Sequence, residues 1–578
     1  MDMDSRTAAH VLNQIASYLE LSGTPRFKAR AFQRAARSIL ALGADDLTPL
    51  LKSGELQKTP NVGPATVSIL KELIETGESS YLDRLSENIP RGLIQMARVP
   101  GLGVDKVKLI HRELGVENLD QLEQAARDGR LAKLPRFGPR TAERILAGIA
   151  FARDSGRRTL YHRGLMQAVV LADHVSRHPD VAEALIAGTV RRHHETIGDI
   201  DIVAICTADP VETARSFADM AAVKEVVENG PRVSIRYVDD TRMDLWCVRK
   251  DEAAITLWRA TGSADHIVQL TSFAEARGFT LKESVLVNPK GRGVKLESES
   301  DFFEKLGLDD IPPELREGLG EIEAAASGSL PELITSEDIR GALHCHSTWS
   351  DGGATIEEMA QAAKDRGWKY IGITDHSQAA FYAGGLKRDK VLQQHEEIDE
   401  LNAAAKGFRI LKGIECDILP SGDLDYGDDL LDRFDYVVGS VHSQFKMDEA
   451  AMTSRVLKAM DDPRLTILGH ATGRLLLSRD AYAVDVEAVI EKASENGTVL
   501  ELNCDPHRMD LDWLHCKAAK ERGVMIEIGP DAHSEAELDN VESGVGMARK
   551  AWLTKDDVLN AQPIRKVLAV AKSKKGKR

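Results

Sequence analysis

Nine side chains of metal-ligand type recur in residues 339–578: His344 and His346 in GALHCHSTWSDG, Asp351 in the same stretch, His376 in ITDHS, Glu415 in GIECDI, His442 in GSVHS, His470 in LGHATGR, and Asp531 with His533 in PDAHS. His344 and His346 are two apart, so on an extended segment both imidazoles face one side. Asp531 and His533 repeat that spacing. Imidazole and carboxylate donors suit Zn²⁺, Mn²⁺ or Fe²⁺, and several carboxylates allow ions to be bridged at short range. Any one of these histidines alone reads better as a hydrogen-bonded core residue. Nine ligand types at successive strand ends do not. Such a cluster binds phosphate oxygens and lowers the pKa of a bound water, which is phosphoester hydrolysis. Arg474 and Arg508 follow two of the ligand strands; each can grip a phosphate bidentately or serve as an ion-pair partner.

A second set lies upstream. In AGTVRRHHETIGDIDIVAIC, Asp199 and Asp201 alternate on an expected strand and share a face. Asp244, in RMDLWCV on the neighbouring strand, completes a trio. Three convergent carboxylates repel one another and imply bound Mg²⁺. Two ions so held activate a hydroxyl and stabilise a departing pyrophosphate. Gly188, Thr189 and Arg192 precede the trio on a turn suited to a triphosphate.

A third set repeats. TPNVGPATVSILKELIETG begins at Thr59, VPGLGVDKVKLIHRELG at Val99 and LPRFGPRTAERILAGI at Leu134. Each places a hydrophobic residue, a Gly-containing turn and an amphipathic helix in succession. Such a turn points backbone N–H groups and a helix N-terminus at an anion, and the DNA backbone is one. Val62, Gly63, Gly101, Gly103, Phe137 and Gly138 are the candidate DNA-binding positions.

The elements that hold these sets follow from the pattern along the chain. Past Gly341, short apolar strands (YIGIT, ILKGIE, YVVGSVH, LTILGH, TVLELN, VMIEIG) alternate with helical stretches, which predicts a parallel, barrel-like domain with its chemistry on the loops after the strands. From about Thr159, DIDIVAIC, VSIRYVDD and MDLWCV predict a mixed sheet. Residues 1–150 read as short helices between Pro/Gly turns. Residues 316–338, acidic and punctuated by Gly, Ser and Pro, read as a linker.

Composition sets the outer bounds. The chain has 578 residues, 43% hydrophobic and 29% charged. That is too long for one core, so three or more compact units are expected. No apolar run approaches a bilayer span and no basic-then-apolar leader opens the chain. The six cysteines show no CxxC pair, which argues against a zinc ribbon or disulfide framework and for a reducing cytoplasm. Net charge is −16, yet residues 1–160 hold 24 Lys and Arg against 19 Asp and Glu, leaving −21 on the remainder. A basic front on an acidic body fits DNA contact at the front.

The ligand string HxH…SDG…TDH…E…H…GH…DAH resembles the polymerase and histidinol phosphatase (PHP) domain. The resemblance implies a (βα)7 barrel with up to three metals. His344, His346, Glu415 and Asp531 would hold the first, Glu415, His442 and His470 the second, and Asp351, His376 and His533 the third. Ala342 stands where many members have Asp, outside the nine. The Gly turns resemble helix-hairpin-helix motifs, SGTPRFKARAFQRAARSI resembles the opening of a small lyase-type domain, and the trio resembles the nucleotidyltransferase palm of DNA polymerase beta. Together these resemble a bacterial-type family X DNA polymerase with a C-terminal PHP domain. That implies a multidomain chain: a helical helix-hairpin-helix region (1–85, with fingers at 86–155), an α+β palm (156–247), a thumb (248–315), the linker (316–338) and the barrel (339–578).

The resemblance also places Gly188, Thr189, Arg192, Gly198, Arg259, Gly262 and Ser263 at the nucleotide. It implies repair of gapped, nicked or damaged DNA with deoxynucleoside triphosphates, and 3′–5′ exonuclease or 3′-end processing by the barrel. Two alternatives stand beside it: a nuclease whose palm only clamps DNA, and a small-molecule phosphoesterase like histidinol phosphatase. Several positions depart from the family pattern. Arg259 and Ala260 replace an aromatic pair that screens the sugar. Ile267 and Thr271 replace an Asn and an Arg that contact nucleotide and template. Ile69 occupies the place of a Schiff-base lysine, with Lys71 nearby on another face.

Overall fold

The structure, a computed structural model, describes all residues except 1, 2, 4, 41, 43, 45, 78, 87, 88, 91, 98, 100, 101, 136, 139, 140, 147, 150–157, 220–222, 239 and 576–578. Among the described residues no helix is long and apolar enough to cross a membrane.

The N-terminal region is helical and builds two cores. One gathers Leu12, Ile15, Ile39, Leu56 and Leu70; the other Leu93, Leu102, Val107, Ile110, Phe137 and Ile145. Helices Pro64–Thr76 and Val104–Leu114 each start at an extended glycine and stop at a left-handed one, Gly77 and Gly115. The expected linking of short amphipathic helices by Gly turns is therefore what positions the hairpins.

The palm is a five-stranded mixed sheet. Its strands are β1 (Val181–Ile186), β2 (Ile200–Cys206), β3 (Val223–Asn229), β4 (Arg232–Tyr237) and β5 (Arg242–Val248), in the order β1-β2-β5-β4-β3. Apolar Ile202, Ala204, Leu245 and Cys247 pack with Phe217 and Leu171 from the covering helices. β2 and β5 are parallel, with Asp201 directly opposite Asp244. β2 begins at Ile200, so Asp199 sits one step before the ladder, exposed, and not within it as its alternation predicted.

The thumb core holds Trp258, Leu270, Phe302, Phe303 and Leu315. Residues 316–338 are not the free linker their composition predicts. Ile322, Ala325 and Leu333 enter the thumb core, while Ile334 enters the core of the C-terminal domain. Arg316 is 1% exposed, bound to Glu299 at 2.5 Å and to the Ile311 carbonyl at 2.8 Å. Gly and Ser supply turns here, and the spaced apolar residues between them supply the packing.

The C-terminal domain is a parallel barrel. Its strands are β6 (Gly341–Ala342), β7 (Tyr370–Ile373), β8 (Arg409–Lys412, resuming as Glu415–Asp417), β9 (Val437–Ser440), β10 (Leu465–Leu468), β11 (Val499–Asn503) and β12 (Ile526–Gly529). Each pairs in parallel with the next, and a Cys345–Ala532 bridge joins the last to the first. Both faces are buried, which is why the strands read as continuous apolar runs.

Palm, thumb and barrel meet at a buried ionic knot. Glu317 binds Arg192 at 2.8 Å and His194 at 2.9 Å, and it also accepts from Lys550, which is fully buried. Glu314 pairs with Arg549 at 2.7 Å, and Glu195 with Arg474 at 3.2 Å. Helix Asn540–Lys550 comes so close that a Cβ on Gly546 would lie 2.0 Å from the His193 ring. Burial acts to raise Glu317, but His194, Lys550 and Arg192 hold its carboxyl well below the usual range. Burial lowers Lys550 to about 8 even with Glu317 beside it.

Glu317→Ala leaves two buried cations unpaired, so a loss of about 3–5 kcal/mol of stability is expected, read by denaturant unfolding. The depressed Glu317 pKa stabilises the fold above the ordinary glutamate range, and this contribution is lost as pH falls through and below it. Acid should therefore weaken the wild type more than Glu317→Gln. Equal stability of Glu317→Ala and wild type would remove the knot from the account.

Candidate metal centre, palm site and DNA-binding hairpins

All nine predicted ligands converge at the C-terminal ends of the barrel strands, with Glu415 at the centre. His376 Nδ1 and His346 Nε2 lie 2.9 Å and 3.7 Å from one Glu415 oxygen, and His470 Nε2, His442 Nε2 and His344 Nε2 lie 2.9 Å, 3.2 Å and 3.5 Å from the other. Asp531 approaches His346 at 3.2 Å and His344 at 3.6 Å, while Asp351 stands 3.6 Å from both His376 and His533.

Among the described residues three groups bring their donor atoms within 4.8 Å: His344 with His346 and Asp531; His376 with Glu415 and His442; and His346 with Asp351, His376 and His533. The partition differs from the expected one: the first group lacks Glu415, the second has His376 in place of His470, and His346 also faces the third. His470 joins only through Glu415.

The donors are ready for cations. His344 Nε2, both nitrogens of His346, His376 Nδ1 and His470 Nδ1 are buried without a hydrogen-bond partner, a costly arrangement that metal ligation relieves. Burial and the neighbouring His376 and His533 hold His346 down at about 3, so it is a neutral donor. Burial acts to lower His376, but Glu415 and Asp351 raise it to about 10 in the absence of cations. His470 and Asp531 sit at φ 25° and 48°, left-handed conformations that cost energy in a non-glycine residue and persist only where surroundings enforce them.

Two further carboxylates, unremarked in the sequence reading, orient ligands from behind. Glu501 accepts from His344 Nδ1 at 2.5 Å and from the His470 backbone N–H, also at 2.5 Å; Asp417 accepts from His442 Nδ1 at 2.5 Å. Each fixes the tautomer of its histidine. Asp417 had a signal, standing two residues after Glu415 on one strand; Glu501, inside the apolar run TVLELN, had little. Asp375, next to His376, accepts from Ser347, Ser350 and Gln394 and so braces the loop that carries Asp351.

The two arginines separate. Arg508 reaches Asp531 at 3.5 Å, at the edge of the centre. Arg474 is a correction: its guanidinium donates to the Arg508 and Met509 carbonyls and to Glu195, so it joins barrel to palm and is not directed at the centre.

The palm is less closed. Among the described residues no group there brings three ligand atoms within 4.8 Å. Asp244 is held by Arg232 at 2.9 Å and by the Ser234 hydroxyl. Burial, then Asp199 and Asp244, raise Asp201 to about 8. Gly188, at φ 62°, has to be glycine, because a Cβ would fall 1.8 Å from Asp201 Oδ2. The Thr189 hydroxyl is buried and unpartnered, a donor suited to a phosphate oxygen.

Arg192 is a second correction. It is 8% exposed and donates to the Thr261 carbonyl and Glu317, so it binds the thumb and is not poised for a triphosphate. Sequence hid this because the partner lies in the stretch read as linker. Ser263 caps helix Ala264–Ala276 through the His266 N–H, and a Cβ on Gly262 would press the His266 ring, so this pair shapes the turn. Gly198 is open apart from Arg158, 3.8 Å from a built Cβ. Arg259 is half-buried and Ile267 packs on the thumb core.

The hairpins share one geometry. Val62 N–H donates to Thr59 O, Leu102 to Val99 O and Phe137 to Leu134 O; then Gly63, Gly103 and Gly138 accept from the N–H four residues on. No atom lies within 4 Å of a Cβ built on any of these three glycines, so their turns face open space. Val62 and Phe137 are corrections: their side chains are buried in the helical cores, where apolar groups belong, leaving the turn backbone to meet DNA. Gly101 lies outside the described residues. Ile69 is buried and Lys71 exposed beside Glu75.

Gly63→Val with Gly103→Val should leave folding nearly unchanged but weaken DNA binding by about 1.5–3 kcal/mol per charged hydrogen bond lost. Fluorescence anisotropy at fixed salt reads this; unchanged affinity would exclude these turns from the interface.

Comparison with known proteins agrees with this arrangement. The PHP domain family matches residues 342–505, the DNA polymerase beta thumb 256–317, a helix-hairpin-helix domain 3–79 and a SAM-like helix-hairpin-helix tandem 93–150. A Bacillus subtilis protein named DNA polymerase/3′-5′ exonuclease PolX is 37% identical over 574 residues, covering 99% of this chain and 100% of the relative. The chain belongs to the family X DNA polymerases that carry a C-terminal PHP domain. A probable phosphatase of Thermoanaerobacter sp. is 31% identical over 252 residues, covering 40% of this chain and 95% of the relative. In this family X polymerase, then, one chain joins a polymerase beta thumb to a PHP domain.

Proposed function

We propose that this family X polymerase is a cytoplasmic DNA repair enzyme that fills short gaps from deoxynucleoside triphosphates and trims 3′ ends in its barrel. The observation that carries the reading is the ring of histidines around the buried carboxylate Glu415, on the same chain as three hairpins whose glycine turns face open space. Divalent ions held by the nine residues would supply an acidified water and offset charge on the phosphate oxygens; Mn²⁺, Zn²⁺ and Fe²⁺ match the donor chemistry, and Mg²⁺ that of the palm carboxylates.

The chain's own residues do the rest. Glu501 and Asp417 hold Nδ1 of His344 and His442, so that Nε2 of each is turned toward Glu415. Arg508 stands where it can hold a phosphate oxygen against Asp531. Asp199, Asp201 and Asp244 provide the acceptor set for nucleotidyl transfer, Gly188 leaves room for it, and Thr189 offers a hydroxyl to the triphosphate.

The nuclease-only reading draws support from Arg192 and Asp244, both engaged by protein partners. Purified protein on gapped, nicked and abasic-site DNA with Mg²⁺ or Mn²⁺ separates the two. Templated extension supports the proposal. Degradation without any extension under either metal supports the alternative. Hydrolysis of small phosphomonoesters alone would overturn both.

A further inference from the structure

The rim of the metal centre carries two aromatic rings that the fold leaves in water. The segment 377–386 leaves His376 and returns to it: Leu386 N–H donates to the His376 carbonyl at 2.8 Å, and Ser377 N–H to the Glu415 carbonyl at 2.9 Å. A Cβ on Gly385 would sit 2.0 Å from the Ser377 carbonyl, so the base of the loop closes only with glycine there. Gly384 lies against Ser350, the neighbour of Asp351. Asp425 pins the loop from below by accepting from Ala379 N–H at 2.7 Å.

On this fixed base Ala380 and Ala383 are buried, while Phe381 and Tyr382 between them are 84% and 63% exposed. Their rings meet edge to face at 5.9 Å. Burial, then the negative charges of Asp417, Glu415 and Asp351, push the Tyr382 hydroxyl up to about 12, as expected for a side chain beside the centre's carboxylates. Beside the loop, Lys387 and Lys390 are exposed, and Lys390 Nζ lies 5.5 Å from the Trp349 ring. An exposed apolar patch rimmed by charged side chains marks a site that meets a partner.

We infer that Phe381 and Tyr382 form a stacking platform for the terminal bases of a single-stranded 3′ end, with the strand's phosphates passing Lys387 and Lys390, so that the last phosphodiester is delivered to the ring around Glu415. The inference rests on the 3′-end-trimming reading above and assigns its substrate as unpaired DNA. Nucleobases are the flat partner the adjacent chemistry calls for, and stacking tolerates every base, as end trimming requires.

The test uses full-length protein, an oligonucleotide with 2-aminopurine at its 3′ end, and the variant Phe381→Ala/Tyr382→Ala. Stacking quenches 2-aminopurine, so fluorescence without turnover should fall on binding to wild type and stay high with the variant. In degradation, the KM for single-stranded DNA should rise about tenfold or more. Hydrolysis of bis(p-nitrophenyl) phosphate, which needs no platform, should not change. Phe381→Tyr/Tyr382→Phe should behave as wild type.

Quenching that persists in the alanine variant overturns the platform. So does an equal loss on both substrates, which would mean damage to the centre. A wild type that forms dimers and a variant that does not, with quenching equal in the two, would give the rings to self-association. Wild type that quenches 2-aminopurine but degrades no DNA would retain the platform and sink the trimming reading instead.

Discussion

Glu415→Ala is expected to lower 3′–5′ degradation by about 10³-fold or more, the scale on which a preorganised electrostatic centre is lost. Glu415 is the one carboxylate that five imidazoles share, and it is 1% exposed. Removing it takes away the anion that raises His376 to about 10 and His442 to about 9. It also takes away the acceptor that joins His470 to the others. DNA binding should stay near wild type, because the hairpins lie on other cores. Gap filling should survive as well. His376→Ala should show the same pattern. Metal content measured on the purified variants should fall in parallel. Degradation at the wild-type rate with either variant would refute this centre as the nuclease.

Asp201→Asn is expected to reduce nucleotide extension by about 10³-fold while leaving degradation intact. The side chain keeps its shape, so Gly188 still fits against it. What is lost is charge. Burial, Asp199 and Asp244 already push the Asp201 carboxyl up to about 8, so in metal-free protein it is largely protonated at neutral pH. Its contribution to stability is therefore fully present below the ordinary aspartate range and is lost as pH rises through about 8. Metal-free Asp201→Asn should not share that loss, and should be no less stable than wild type at high pH. Extension by the variant at the wild-type rate would exclude Asp201 from the palm chemistry. Normal extension by the wild type would in turn remove the nuclease-only reading, whatever the partners of Arg192.

Local spacing made the ligands legible. HxH, TDH and DAH place donors two apart or next to one another at the ends of apolar strands, and a parallel barrel brings all such ends to one rim. The hairpins were legible for the same reason: a short turn is dictated by its own glycine and the first residues of its helix. The Asp201–Asp244 pairing followed once both runs were read as adjacent strands.

Partners far apart in sequence were another matter. Composition made 316–338 a linker, yet Glu317 is the anion on which Arg192, His194 and Lys550 converge. Nothing local marks a glutamate for burial 125 residues from its arginine. For the same reason Arg192 looked available to a triphosphate and Arg474 to a phosphate, until the docked domains supplied Thr261, Glu317 and Glu195. The sequence by itself determined which residue types reach each site, because that depends on strand and turn periodicity. Tertiary structure alone decided which charges are already neutralised and which stay open to a substrate, because that depends on what packs against them.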